Sequence, residues 1–323
     1  MPTEKRLAGS LPPLGGYDAD IIILCLNRLA DTLEAIASAL RQRGGEFHVT
    51  VLDQGSTPET ITGITRAFGG HPRFALYSAG ENLGVAGGRN LAAALGHGTI
   101  ITALDNDAVF QDDWVVARAL RRFRREPDLG ALGFAILTAD GTQPDLGAWG
   151  YPKALLPRSR GRFDATTFVG AGHAIRRATW NAAGGYDPSL FFTWEEYDFC
   201  LAAIAIGWRI AYDGSLAVLH KVSPEARVQW SGERMAYFVR NRLIIARKWG
   251  ASRLALAPRI GAYLLRGRLS GCAPQVWRGV EQAFDAQIPA PRRMPGAMRR
   301  YISRNETRHR GTLLQRLRRE VLG

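Results

Sequence analysis

Five short apolar runs, Asp20 to Leu26, Phe47 to Leu52, Phe74 to Tyr77, Thr99 to Leu104 and Leu129 to Ile136, constrain this chain more than any other feature. Most are apolar at every position rather than at alternate ones. A strand of that kind needs cover on both faces. Helical patterns at Ala30 to Arg43, Pro58 to Phe68, Val85 to Leu95 and Asp113 to Arg125 lie between the runs and can supply the cover. The alternation predicts an α/β fold, a mostly parallel sheet flanked by helices with right-handed crossovers. Ligands in such sheets bind beyond the carboxyl ends of the strands. Three polar segments fall at those ends: Asn27-Arg28, Asp53 to Ser56 and Asp105 to Asp107.

The second half changes character. Gly141 to Phe163, rich in Gly, Pro and aromatic residues, reads as a loop; strand and helix patterning resumes over Phe168 to Gly185 and Leu190 to Asp213. Trp230 to Trp249 reads as an amphipathic helix, and a final basic helix is expected near Leu313 to Val321. The organisation expected is therefore a tail over residues 1–18, a domain over 19–250 and an Arg-rich helical extension over 251–323. That extension holds 15 arginines, no lysine and four acids, a net +11 of the chain's +13. Such a charge suits an anionic surface. Membrane phospholipid is favoured over nucleic acid, because no nucleic-acid module is recognisable; a merely solvated basic tail is the plain alternative.

The 46% hydrophobic content and mean hydropathy of −0.12 fit a soluble globular chain. No apolar stretch approaches the roughly 18 residues that span a bilayer. Met1 to Gly16 lacks the apolar core of a secretory signal, so a cytoplasmic location is expected, peripheral at the inner membrane face if the extension docks there. Cys25, Cys200 and Cys272 are widely spaced, without a metal-ligand pattern, and fit buried thiols in a reduced compartment.

Chemistry concentrates in a few places. Asp105 and Asp107 stand one residue apart after an apolar run, and on an extended backbone such residues face the same side. A hard cation typically takes one or two protein carboxylates and fills its other positions with substrate phosphates and water. Taken alone, an Asp-x-Asp after a strand is more often a polar loop or helix cap than a metal site. Glu81 to Asn90 links strand to helix through Gly84, Gly87 and Gly88, which let a backbone approach a ligand, with Asn82, Arg89 and Asn90 beside them. Glu195, Glu196 and Asp198 open a predicted helix; acids there favour the helix dipole, which accounts for one more readily than for three.

The ordered set Ile21 to Arg28, Val51 to Ser56, Glu81 to Asn90, Leu104 to Asp107, Gly184 to Asp187, Phe191-Phe192, Trp194 to Cys200, His220 and Arg240-Asn241 resembles the inverting nucleotide-sugar glycosyltransferases of family 2, with the GT-A fold. The later motifs look most like the bacterial rhamnosyl- and galactofuranosyltransferase branch. The resemblance covers about Asp20 to Trp249. It implies that Asp53 recognises a uracil or thymine ring, with an Asx-turn before Pro58 as the lesser alternative. It implies donor contacts from Asn27, Arg28, Ser56, Asn82, Gly84, Arg89, Asn90 and Asp105, with Ser56 as readily a turn residue. Asp107, Asp105 and His220 would hold Mg2+ or Mn2+. Glu196 is the expected general base, with Glu195 the alternative, because this segment departs from the family's usual Glu-Asp or Asp-Asp. Trp194, Gly172, His173, Asp198, Arg240 and Asn241 would form the acceptor side, and Trp149 and Tyr151 can stack on sugar rings.

The resulting expectation is a metal-dependent, inverting transfer of a sugar from a UDP- or dTDP-sugar to a hydroxyl of a surface glycan, glycolipid or polysaccharide. A nucleotidyltransferase also pairs carboxylates with a metal, but wants a basic Gly-rich loop after the first strand, which Cys25 to Arg28 does not offer. A non-catalytic nucleotide-sugar-binding protein on the same fold is the other alternative.

Overall fold

A ten-stranded mixed sheet forms the centre of the computed structural model, which describes residues 4–221, 232–288, 291–312 and 315. Its strands are β1 (Lys5–Gly9), β2 (Ala19–Cys25), β3 (Phe47–Asp53), β4 (Phe74–Ser78), β5 (Ile100–Leu104), β6 (Ala108–Phe110), β7 (Leu129–Thr138), β8 (Arg162–Ala165), β9 (Gly172–Arg176) and β10 (Arg209–His220). Their order is β1-β4-β3-β2-β5-β9-β7-β10-β6, with β8 also paired to β10. Strands β4, β3, β2 and β5 are parallel neighbours, and β7 pairs parallel with β10. Because β9 runs antiparallel to both β5 and β7, those two groups share one direction. Strands β1, β6 and β8 run the other way.

Helices α1 (Leu29–Leu40), α2 (Pro58–Phe68), α3 (Gly84–Ala94) and α4 (Val115–Arg125) connect the first strands. Then come α5 (Arg177–Ala183), α6 (Glu195–Ala205), α7 (Glu233–Lys248), α8 (Arg253–Leu269), α9 (Ala273–Asp285) and α10 (Gly296–Asn305). The apolar character of β2 is explained by cover on both faces. Ile21 and Ile23 pack in one core with Ile36, Ile64 and Leu120, while Ile22 points into a second core with Phe199, Val239 and Val276.

Both segments that flank the expected domain pack on it. Lys5–Gly9 adds an antiparallel edge strand to β4. From the helices after residue 250, Leu256, Tyr263, Cys272, Val276 and Met298 join the second core. The basic helix expected near Leu313 to Val321 lies outside the described residues. No helix among the described residues is long and apolar enough to cross a membrane.

Candidate functional site

The polar segments at the strand ends meet. Asn27 and Arg28, just past β2, both hold left-handed backbone angles, which non-glycine residues seldom adopt. The turn is braced against the next strand end: the Asn27 N–H donates to Ser56 Oγ at 2.7 Å, and the Thr57 N–H to Asn27 Oδ1 at 2.9 Å. The turn aims Arg28 across the crevice, where its guanidinium meets Asp107 Oδ2 at 2.7 Å and also pairs with Asp31. Asp53 is buried, and its carboxylate accepts the Gly55 and Ser56 N–H groups, so the turn role foreseen as the alternative is formed.

Asp105 to Asp107 is a turn between β5 and β6 rather than extended backbone, which corrects the geometry expected from the spacing. The Ala108 N–H closes it onto the Asp105 carbonyl at 3.1 Å. The two carboxylates still reach one region, because β6 pairs with β10 and places His220 opposite Ala108. His220 Nε2 lies 3.6 Å from Asp107 Oδ1, and its Nδ1 is 3.2 Å from Asp145 Oδ2. Desolvation opposes ionisation of Asp107, but His220 and Arg28 overcome it and hold its carboxyl down to about 2.

Arg89 is the largest fully buried side chain among the described residues. Instead of reaching a donor, it bonds the Ile22 carbonyl at 3.0 Å and Asp105 Oδ1 at 2.6 Å, fixing Asp105 to the sheet. The Asp105 side chain is 40% exposed at the crevice. The protein around it still desolvates it, and with Asp107's charge added its carboxyl lies above the ordinary value despite Arg89.

The two glutamates at the start of α6 differ in environment. Glu195 is buried, Oε2 has no partner, and burial reinforced by Glu196 raises its carboxyl far above the usual range. Glu196 is only half-buried; desolvation and the Asp105 charge push it up to about 7. Its Oε1 lies so close to Gly170 that a Cβ there would collide with it. The preceding loop is strained: Phe191, Thr193 and Trp194 all have positive φ. Asn241 holds it, its Nδ2 donating to the carbonyls of Leu190, Phe192 and Thr193 at 2.8, 2.8 and 2.9 Å. Gly84 meets the same loop, with the Phe191 carbonyl where a side chain would stand.

Several expected contacts point inward. His173 is buried, stacks on Phe168 and shares a 3.1 Å hydrogen bond with the Tyr186 hydroxyl; burial pushes its imidazole pKa well down. Gly172 pairs with Leu104 and packs against Val218. Asp198 forms an ion pair with Lys248 at 2.6 Å, Asn90 clamps the Tyr186 backbone, and Asn82 caps Gly84. Asn241 is fully buried, and Arg240 donates to the Ser189 carbonyl. Trp149 and Tyr151 pack with Phe163 and Tyr212 in a side core. Trp194 is half-buried and stacks with the Arg242 guanidinium at 4.4 Å. Asp145, the partner that orients His220, has no motif that could have revealed it.

The donor set suits a cation carried in by a diphosphate. Among the described residues no three His, Cys, Asp or Glu side chains form a ready cage. Asp105 and Asp107 offer hard oxygens, and His220 is oriented by a second carboxylate in the way metal-binding histidines usually are. Magnesium is typically bound by one or two carboxylates and completed by phosphates.

A mixed α/β sheet with carboxylates gathered at its strand ends supports many functions, and comparison with known proteins narrows them. Residues 20–182 match the family described as glycosyl transferase family 2, and the chain belongs to that family. It is 28% identical over 128 residues to an N-acetylglucosaminyltransferase of Mesorhizobium japonicum, covering 38% of this chain and 30% of that one. The fold resembles the mannosyltransferase PcManGT of Pyrobaculum calidifontis, solved with GDP-Man and Mn2+, with a TM-score of 0.59 and 18% identity over 88% of this chain and 80% of the other. It also resembles GalNAc-T7 solved with UDP, GalNAc and Mn2+, at a TM-score of 0.58 and 12% identity, covering 83% and 54%. At such identities the two structures speak for the fold alone.

Proposed function

We propose that this glycosyltransferase moves a sugar, with inversion, from a UDP- or dTDP-sugar to a hydroxyl of a glycan, glycolipid or polysaccharide, using Mg2+ or Mn2+. The observation that carries this reading is the meeting of a half-buried, raised Glu196 with Asp105, Asp107 and His220 around one crevice. Glu196 takes the proton of the acceptor hydroxyl as that oxygen bonds to the anomeric carbon. The bond to the donor diphosphate breaks on the opposite face, and the nucleoside diphosphate leaves. When bound, the divalent ion neutralises charge on that leaving group. Asp107 and Asp105 would hold the ion, with Arg28 turned from Asp107 toward phosphate. Asp53 suits an imide N–H of uracil or thymine through lone pairs left by its turn. Placement in the rhamnosyl and galactofuranosyl branch rests only on the order of the later motifs.

Incubation with UDP-, dTDP- and GDP-sugars, with and without manganese, tests the reading. Release of nucleoside diphosphate from the uridine or thymidine donors is expected, with Asp107→Asn losing the manganese response. Release of pyrophosphate would point to a nucleotidyltransferase instead, and preference for GDP-sugars would remove the role given to Asp53.

A further inference from the structure

Helix α8 is apolar on two opposite faces, and the core needs only one of them. Its inner face buries Leu256, Ala262, Tyr263 and Gly267. Opposite them, Leu254, Pro258, Gly261, Leu265 and Leu269 recur at three- and four-residue spacing and form one continuous exposed stripe. Leu254 is 85% exposed, Leu269 67% and Leu265 48%. Trp277 on the adjoining α9 is 53% exposed, so among the described residues four of the ten exposed large apolar side chains fall on this helix pair. Helix α8 has no acid, and its four arginines flank the stripe, Arg259 and Arg266 along one seam, Arg253 and Arg268 toward the other.

We infer that the outer face of α8 is a membrane-docking surface that lies flat on an anionic bilayer. An apolar stripe edged by arginines matches the boundary between acyl chains and anionic headgroups, where a surface helix sinks its apolar face and keeps its cations among phosphates. With four arginines in 17 residues, α8 is too charged to cross the bilayer and suited to lying on it. Charge also decides against a second copy of this chain as the occupant, since two such faces would bring like charges together. The inference does not rest on the proposed reaction.

Flotation of the full chain with phosphatidylcholine vesicles, with or without phosphatidylglycerol, tests the inference. Binding is expected to the phosphatidylglycerol vesicles only, and to weaken as salt screens the arginines. The exposed variant Leu254→Ser/Leu265→Ser/Leu269→Ser should lower partitioning by about tenfold or more, because each leucine contributes apolar area. The matched change Leu14→Ser, at a fully exposed leucine outside α8, should leave it unchanged. Arg268→Gln should weaken binding and its salt response without altering the thermal midpoint. Equal partitioning of the triple variant and the native chain would overturn the inference. So would equal binding to both vesicle types, or a solution dimer that the triple variant abolishes while vesicles bind neither protein.

Discussion

Glu195 and Glu196 are neighbours in the chain, yet burial separates their chemistry. Glu195 is closed to solvent with an oxygen unpartnered and its carboxyl raised far above the usual range, whereas Glu196 is partly exposed and raised only to about 7. A base must be deprotonated to act. Transfer should therefore fall about tenfold per unit as pH drops below that value, and level off above it. Glu196→Gln should lose about 10² to 10⁴ in rate together with this inflection, while Glu195→Gln retains most of both. A pH–rate profile of the two variants checks this; a dead Glu195→Gln with an active Glu196→Gln would reverse the assignment. Gly170→Ala supplies an independent arm, because its added methyl would collide with Glu196 Oε1, the end of a flexible chain, rather than with backbone. It should lower kcat with little change in thermal midpoint. At this scale the sequence shows carboxylates and His220 through their order and spacing. It cannot show the environment: Arg89, expected among the donor contacts, is buried and paired with Asp105, and Asp145 is a lone loop acid 75 residues from its His220 partner.

The loop from Phe191 to Trp194 shows how an element far along the chain builds the site. Three of its residues have positive φ, a state costing on the order of 1 kcal/mol or more each unless neighbours enforce it. Asn241 of α7 enforces it through three carbonyls, and the α3 end helps, with the Val85 N–H donating to the Phe191 carbonyl at 2.7 Å. Asn241→Ala removes the donor and leaves buried carbonyls unpaired, so about 2 to 3 kcal/mol of stability should be lost. Urea unfolding measures it. Nucleotide binding should persist while transfer falls, because Trp194 and Glu196 hang on this loop; an unchanged transfer rate would deny the loop its role. The strands that carry the crevice were legible because each is apolar on both faces, and α2 (Pro58–Phe68) matches its pattern to the residue. Strands β1, β6 and β8 were missed because they are short: three to five residues give too little periodicity, and their pairing partners lie far away in sequence.

Across the whole molecule, the charge jump after residue 250 marks an Arg-rich helical extension, and packing ties its helices to the core. Met235, Val239 and Leu243 of α7 are buried in the same core as Val276, Val280 and Ala283 of α9. Tyr301 of α10 reaches the sheet itself, donating to the Ile210 carbonyl at 2.8 Å and accepting its N–H at 3.0 Å. Thr166 donates to Glu306 Oε2 at 2.7 Å, a buried link between the loop before β9 and the end of α10. Composition could not reveal this, because arginines dominate the exposed faces of helices whose inner faces are apolar. Ending the chain at residue 250 should therefore do more than remove positive charge. It strips the cover from α7, and α7 supplies the Asn241 that holds the strained loop. Each large apolar side chain newly exposed costs about 1.5 to 3 kcal/mol, so losing the cover of a few approaches the whole stability of an ordinary domain. The chain over residues 1–250 is expected to aggregate or to lose its cooperative thermal transition, and with it all transfer. A soluble truncated protein with the native melting midpoint would show that α8 to α10 do not support the domain before them.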